Sequence, residues 1–323
     1  MDNFFKQSEK INEVLENQKI SNLKQNFDDI SLEYRKQNIN SKTVVSSENK
    51  VLAYLSGRMG ETSVVVDSVL SKLDKVTNFS SDVKSVLDLG SGTGSVLWAI
   101  ENYIPKANVV AVEKEKLMIK YSKVLSSDLN LNIDYIQENV LSKNVEELNN
   151  ADLVIESYML NELTENEAIK ILDLMAEKTR KYLVIVEPGT PKSYEKMMIF
   201  RDYLLSKGLN LILPCPHSDK CGLNNDYCNF SVRVPRSKLV RQVKSGALNY
   251  EDEKYFYLIF SKEKQAKNYN STILRRPIYR KGCVDLKLCG SDSQIKLKTI
   301  TKSDKQKYKV AKDYKHGDNI NLV

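Results

Sequence analysis

The sequence predicts an α/β fold: a mostly parallel, doubly wound sheet, interrupted by a cysteine-rich insertion and followed by a small β-rich extension. Three observations predict it. From Ser85 to about Lys207, short β-rich runs alternate with helical segments, the pattern of right-handed crossovers in a parallel sheet. The first of these runs enters a glycine-rich turn. All five cysteines fall in the last third of the chain.

Residues 1–50 are polar and helical in spacing: Ile11, Val14 and Leu15 share one face, as do Leu23, Phe27 and Ile30. They predict a loosely constrained peripheral arm. Residues 51–78 read as one or two helices, with Tyr54, Leu55 and Met59 apolar. The core then runs SVLDLG and a helix to about Tyr103; NVVAVE and a helix from Lys114; NIDYIQ; DLVIES and a helix from about Glu165; YLVIVE and a helix from about Ser193. KYFYLIFS at 254–261 is a strong strand, expected to close the sheet at its far edge. The chain thus divides into a helical N-terminal region (1–80), a core (81–210 plus 251–262), a cysteine-rich basic insertion (211–250) and a basic extension (263–323).

The 323 residues are 41% hydrophobic and 28% charged, an ordinary globular composition. No apolar run approaches the ~18 residues of a membrane helix, which argues against a membrane role. The start, MDNFFKQSEKINEVLENQ, has no apolar signal core and is too acidic for a transit peptide. The expected location is the cytoplasm of a bacterium; a mitochondrial matrix protein numbered from its mature start would look the same. No dimer signature is visible, so a monomer is expected. The net charge of +7 is uneven: residues 181–323 hold 28 basic against 14 acidic side chains, and residues 1–180 hold 21 against 28. A basic half suggests an anionic partner, with nucleic acid first.

In Asp88-Leu89-Gly90-Ser91-Gly92-Thr93-Gly94, an acid inside a strand precedes a turn whose glycines let the backbone approach a ligand. A helix start then offers free N–H groups. Dinucleotide folds share a glycine triplet. Here the acid is placed to take an amino group, and Glu113, at the end of the next strand, to accept from both ribose hydroxyls. Together they favour S-adenosylmethionine and resemble the first two motifs of class I methyltransferases. Asn139 would lie near the adenine, or be an ordinary turn residue. Candidate bases are Glu156, Glu162 and Glu187. A Pro-Pro-aromatic segment for a flipped base and a strand-end cysteine nucleophile are both missing. Ligand binding is therefore better supported than methyl transfer, and no catalytic residue is assigned.

Cys215, Cys221 and Cys228 lie on one loop-rich segment; Cys283 and Cys289 lie far downstream. An odd count without a secretory signal argues against disulfides. Four thiolates suit zinc or an iron–sulfur cluster, and the lack of close C-x2-C knuckles favours the cluster. The fourth ligand is Cys283 or Cys289, and either would tie the C-terminal tail to the core. No acid occurs from Tyr227 to Tyr250, a stretch holding Arg233, Arg236, Lys238, Arg241 and Lys244. Arg275, Arg276, Arg280 and Lys281 form a second basic block, and Tyr308 sits among lysines. Such arginines and tyrosines suit RNA phosphates and bases.

YLSGRMGET (54–62), DLGSGTG, DLVIESYMLNEL, VEPGTP, LPCPHSDKC, DYCNFSVRVPRS, YEDEKYFY, RRPIYRKG, the Leu288-Cys289 pair and TKSDKQKYKVAKD together resemble the methyltransferase-like assembly-factor family of the mitochondrial small ribosomal subunit. The resemblance runs from about 50 to about 315. It implies a [4Fe–4S] cluster on Cys215, Cys221, Cys228 and Cys289, with Cys283 left out. It also implies a retained S-adenosylmethionine pocket, contact with small-subunit rRNA, and a role in assembly of that subunit and in translation. An active rRNA methyltransferase and an iron or redox sensor gating ribosome assembly are the alternatives. Asn229, Gly222 and Tyr227 stand where the family usually has His, Pro and Trp.

Overall fold

A computed structural model describes residues 2–36, 45 and 47–322; the helical expectation for the rest of 37–46 lies outside the described residues. The chain forms two compact units, residues 1–183 with 232–253 and residues 184–231 with 254–323.

The first unit opens with α1 (Asp2–Leu15), α2 (Ile20–Lys36), α3 (Glu48–Tyr54), a π-helical turn (Leu55–Met59), α4 (Gly60–Val76) and α5 (Phe79–Asp82). The N-terminal arm is not loose. Ile11, Leu15, Leu23, Phe27 and Ile30 are buried in one cluster with Leu55, Met59, Trp98 and Leu125. Each such side chain contributes ~1.5–3 kcal/mol on burial. The helical stripes visible in the sequence are what make this docking possible.

The alternating segment follows as β1 (Ser85–Leu89), α6 (Ser95–Tyr103), β2 (Asn108–Glu113), α7 (Lys116–Leu125), β3 (Asn132–Gln137), α8 (Lys143–Glu146), β4 (Ala151–Ser157), α9 (Glu165–Lys178) and β5 (Thr179–Pro188). A capping box starts α9: Thr164 accepts from the Glu167 N–H, and the Glu167 carboxylate accepts from the Thr164 N–H. Strand order is β3-β2-β1-β4-β5. β1 pairs in parallel with β2 (Asp88 opposite Ala111) and with β4 (Asp88 opposite Ile155). Chain direction across the sheet therefore reverses at β1 and β4, and ligands in such sheets bind beyond the strand ends at that reversal.

The second unit contains the last residues of β5, α10 (Pro191–Ser206) and β6 (Asn210–Leu213). β7 (Phe230–Pro235) contributes to both units, and α11 (Lys238–Val243) belongs to the first. β8 (Tyr250–Ser261) also contributes to both, and its later residues lie between β5 and β6, antiparallel to β6. The strand at 254–261 therefore does not close the sheet, because β6 lies outside it. Seven consecutive residues of β8, Tyr255–Ser261, are buried, which requires neighbours on both sides. The extension adds β9 (Ser271–Ile273), β10 (Ile278–Arg280), β11 (Cys283–Gly290), β12 (Ile295–Thr301), α12 (Lys305–Ala311) and β13 (Asn319–Ile320). Its sheet runs β10-β11-β9-β13 with β12 on β11, around Ile273, Val284, Leu286, Leu288 and Ile300. No described helix is long and apolar enough to cross a membrane.

Candidate functional site

The turn after β1 is set by backbone conformation. Gly90, Gly92 and Gly94 hold φ of 74°, 54° and 86°, the left-handed region that disfavours side chains. A Cβ on Gly90 would lie 2.7 Å from the Met159 Sδ, and one on Gly94 would lie 2.5 Å from the Ser122 Oγ. A Cβ on Gly92 would meet nothing closer than 4.0 Å, so space opens above the middle of the loop. Asp88 is fully buried, and neither carboxylate oxygen has a partner among the described residues. Burial, and then the charge of Glu113, push its carboxyl up to about 8. An orphaned buried carboxylate is costly when ionised, and a ligand ammonium would relieve it. The Ser91 and Thr93 hydroxyls are likewise buried without partners.

Glu113 lies beside the loop, as the sequence predicts, but it is engaged. Its Oε2 accepts from Gly92 N–H and its Oε1 from Glu115 N–H, both at 2.9 Å. Each oxygen keeps a second lone pair for a hydroxyl. Asn139 is exposed, and its side chain accepts from the Leu141 N–H at 3.0 Å, a turn residue in its contacts. The candidate bases at the end of β4 and just after it also make contacts. Glu156 accepts from Met159 and Leu160 N–H groups at 3.2 and 3.4 Å, and the Tyr34 hydroxyl donates to Glu162. Tyr34 is a contact that sequence reasoning missed, since it comes from the N-terminal arm.

In the second unit, four cysteines converge. Cys215, Cys221 and Cys228 lie between β6 and β7, and Cys289 lies near the end of β11. Burial first, then the nearby Cys215, Cys221 and Cys289, push the Cys228 thiol well up. Burial, then Cys215 and Cys221, push Cys289 up to about 12. Cys283 begins β11, six residues before Cys289, which is ~20 Å in a strand; it stands apart from the quartet beside Arg280. All five thiols are free.

Buried donors surround the quartet. The Tyr194 hydroxyl lies 3.2 Å from the Cys221 Sγ, and His217 Nε2 lies 3.4 Å from the Cys289 Sγ. Burial raises the Cys215 thiol, and the charge of Arg201 opposes that rise. Tyr257 Oη, His217 Nδ1 and Arg201 Nε are buried with no partner among the described residues. Four thiols with polar groups beside them are a donor set that could hold either zinc or an iron–sulfur cluster.

The extension is tied to the cysteine loop by direct bonds. Lys267 Nζ donates to the Cys215 carbonyl and Thr272 Oγ1 to the Pro214 carbonyl, both at 2.7 Å. Asn319 Nδ2 reaches the Pro214 carbonyl at 3.2 Å. Asp226 joins Arg275 and Lys287. A Cβ on Gly222 would lie 2.1 Å from the Ser293 carbonyl oxygen, so glycine is required at this departure from the family pattern.

The basic blocks are largely paired. Arg233 binds Asp252 at 3.0 Å, Arg236 binds Glu251, Arg275 binds Asp226 and Arg280 binds Asp285. Lys244, 11% exposed, joins both Glu61 and Glu251. Burial raises Glu61 well above its usual range. At Glu251, burial is outweighed by hydrogen bonds from Glu61, Lys244 and Arg236, which hold it at about 2. The acids missing from 227–250 are thus supplied by Glu61, Glu251 and Asp252. Lys238, Arg276 and Lys281 are exposed, and Arg241 is half-buried.

The chain is 25% identical over 333 aligned positions to the mitochondrial Rsm22-cox11 tandem protein 2 of Schizosaccharomyces pombe, covering 85% of this chain and 44% of that one. It is 26% identical over 206 positions to the mitochondrial ribosome assembly protein METTL17 of Homo sapiens, covering 57% and 44%. The match therefore spans less than half the length of these relatives. Among solved structures, an O-methyltransferase family protein from Burkholderia thailandensis superposes with a TM-score of 0.46 at 12% identity, covering 74% of this chain and 72% of that one. Magnesium protoporphyrin IX methyltransferase from Synechocystis PCC 6803 with bound SAM gives 0.42 at 14% identity, covering 72% and 92%. The family model described as mitochondrial small ribosomal subunit Rsm22 matches residues 48–321, and the chain belongs to that family.

Proposed function

We propose that this protein is an assembly factor of the small ribosomal subunit that binds S-adenosylmethionine without consuming it. The observation that carries this reading is a contrast within the first unit. Asp88 is orphaned beside an open glycine loop, as a cofactor pocket requires, while the sequence offers neither a Pro-Pro-aromatic segment nor a strand-end cysteine to handle a target base. Asp88, Gly90, Ser91, Gly92, Gly94, Glu113 and Asn139 would hold the cofactor. Cys215, Cys221, Cys228 and Cys289 would hold a [4Fe–4S] cluster, which orders the cysteine loop and the extension. Contact with rRNA would rest most on Lys238, Arg241 and Lys281, because Arg233, Arg236, Lys244, Arg275 and Arg280 already pair with acids. The two curated relatives named above are mitochondrial proteins, which supports a mitochondrial setting over a cytoplasmic one.

The test is transfer of labelled methyl groups from S-adenosylmethionine to small subunits from cells lacking the protein, with cofactor binding verified. The expected result is subunit binding with no label in rRNA. Label that disappears with Gly92→Arg would overturn the reading in favour of an rRNA methyltransferase.

A further inference from the structure

Arg201 is among the largest fully buried side chains, only 1% exposed. It lies on α10 with Tyr194, seven residues earlier and so on the same helix face. Its guanidinium donates to the Asp219 carbonyl at 2.7 Å and the His217 carbonyl at 3.4 Å, both in the cysteine loop. Its carboxylate partner is Asp202, whose side chain is 65% exposed and well solvated. A second cation, the half-buried Lys267, is held against the Cys215 carbonyl. No acid pairs with it among the described residues. A buried cation needs a compensating charge, and Asp202, facing water, supplies little. The anion must come from the other side, where Cys215, Cys221, Cys228 and Cys289 converge.

We infer that Arg201, with Lys267, is the built-in counter-charge of the cysteine centre, and that Arg201 and the orphaned Tyr257 hydroxyl set the reduction potential of the group held there. This rests on the reading that the quartet holds an iron–sulfur cluster. Four thiolates outweigh the positive charge of such a core, so the assembly is a net anion. Its potential follows net charge and hydrogen bonds to sulfur. Arg201 holds the His217 carbonyl, two residues from Cys215, and Arg201 Nε and Tyr257 Oη are buried donors still to be matched. Arg201 is thus a positioning residue with an electrostatic task, distinct from its carbonyl contacts to the loop.

The experiment is a one-electron dithionite titration of the full chain, purified without oxygen, followed by electron paramagnetic resonance. Wild type, Arg201→Gln, Arg201→Lys and Tyr257→Phe are compared. The midpoint should fall in Arg201→Gln, return close to wild type in Arg201→Lys, and fall by less in Tyr257→Phe. An unchanged midpoint in Arg201→Gln at full cluster content overturns the inference while leaving the cluster reading intact. Should Arg201→Gln fail to load, loading rescued by Arg201→Lys supports the charge argument. Failure of both reduces Arg201 to a loop brace. A wild-type chain with no iron–sulfur signal defeats the cluster reading and this inference with it.

Discussion

The glycine loop and the cysteine centre are finished to different degrees by the protein alone. At the loop, three left-handed glycines fix the path, and both oxygens of Glu113 are already met by backbone N–H groups. Only Asp88 and two hydroxyls remain unmatched. At the cysteine centre, residues from α10, the loop after β6, β8 and β11 face one another, with a phenol, an imidazole nitrogen and a guanidinium nitrogen unmatched among the described residues. A site made of backbone keeps its shape without a ligand. A site made of side chains from four segments depends on what it binds.

The largest expected effect that would break this comparison is on the cysteine side. Cys228→Ser should empty the centre and release several kcal/mol or more of metal-linked folding energy. Hydrogen exchange should then rise in 184–231 and 254–323, with S-adenosylmethionine affinity preserved; equal loss in both units would contradict it. Next comes Lys244→Met, which strands Glu61 and Glu251 in a buried site. Urea denaturation should show a loss of about 3–5 kcal/mol, marking this lysine as structural rather than RNA-binding.

Asp88→Asn sharpens the loop side. Calorimetry should show cofactor affinity weakened roughly 10–100-fold, the scale of a charged hydrogen bond. The pH dependence has a definite sign. The folded pKa of about 8 lies above the ordinary 3.8, so the folded chain holds this proton more tightly than the unfolded one. That stability is fully present below pH 3.8 and is lost as pH rises through about 8. The melting temperature of the ligand-free protein should therefore fall across this window, and fall less in Asp88→Asn. The smallest effect is at the surface: Lys281→Ala should reduce the salt dependence of rRNA binding by about one phosphate contact.

The parts legible in the sequence are local. Alternating strands and helices, the Asp88–Gly94 turn and the Thr164 cap each sit within a few residues, where spacing carries the signal. The quartet was half legible: three cysteines share a loop, but choosing Cys289 over Cys283 depends on β11, which carries them to opposite ends. Tyr194 and Arg201 did leave a signal, an arginine on the buried stripe of a helix beside Met197 and Leu204. The pairing of Lys244 with Glu61 left none, since the two meet only in the folded chain. β6 escaped notice because four residues before a proline carry too little pattern to mark a strand.

The most direct test is iron and acid-labile sulfide content in chains purified without oxygen: wild type, Cys283→Ser and Cys289→Ser. About four of each per chain in wild type and in Cys283→Ser, with loss in Cys289→Ser, is the predicted result. Zinc in wild type, or loss on replacing Cys283 alone, would contradict it.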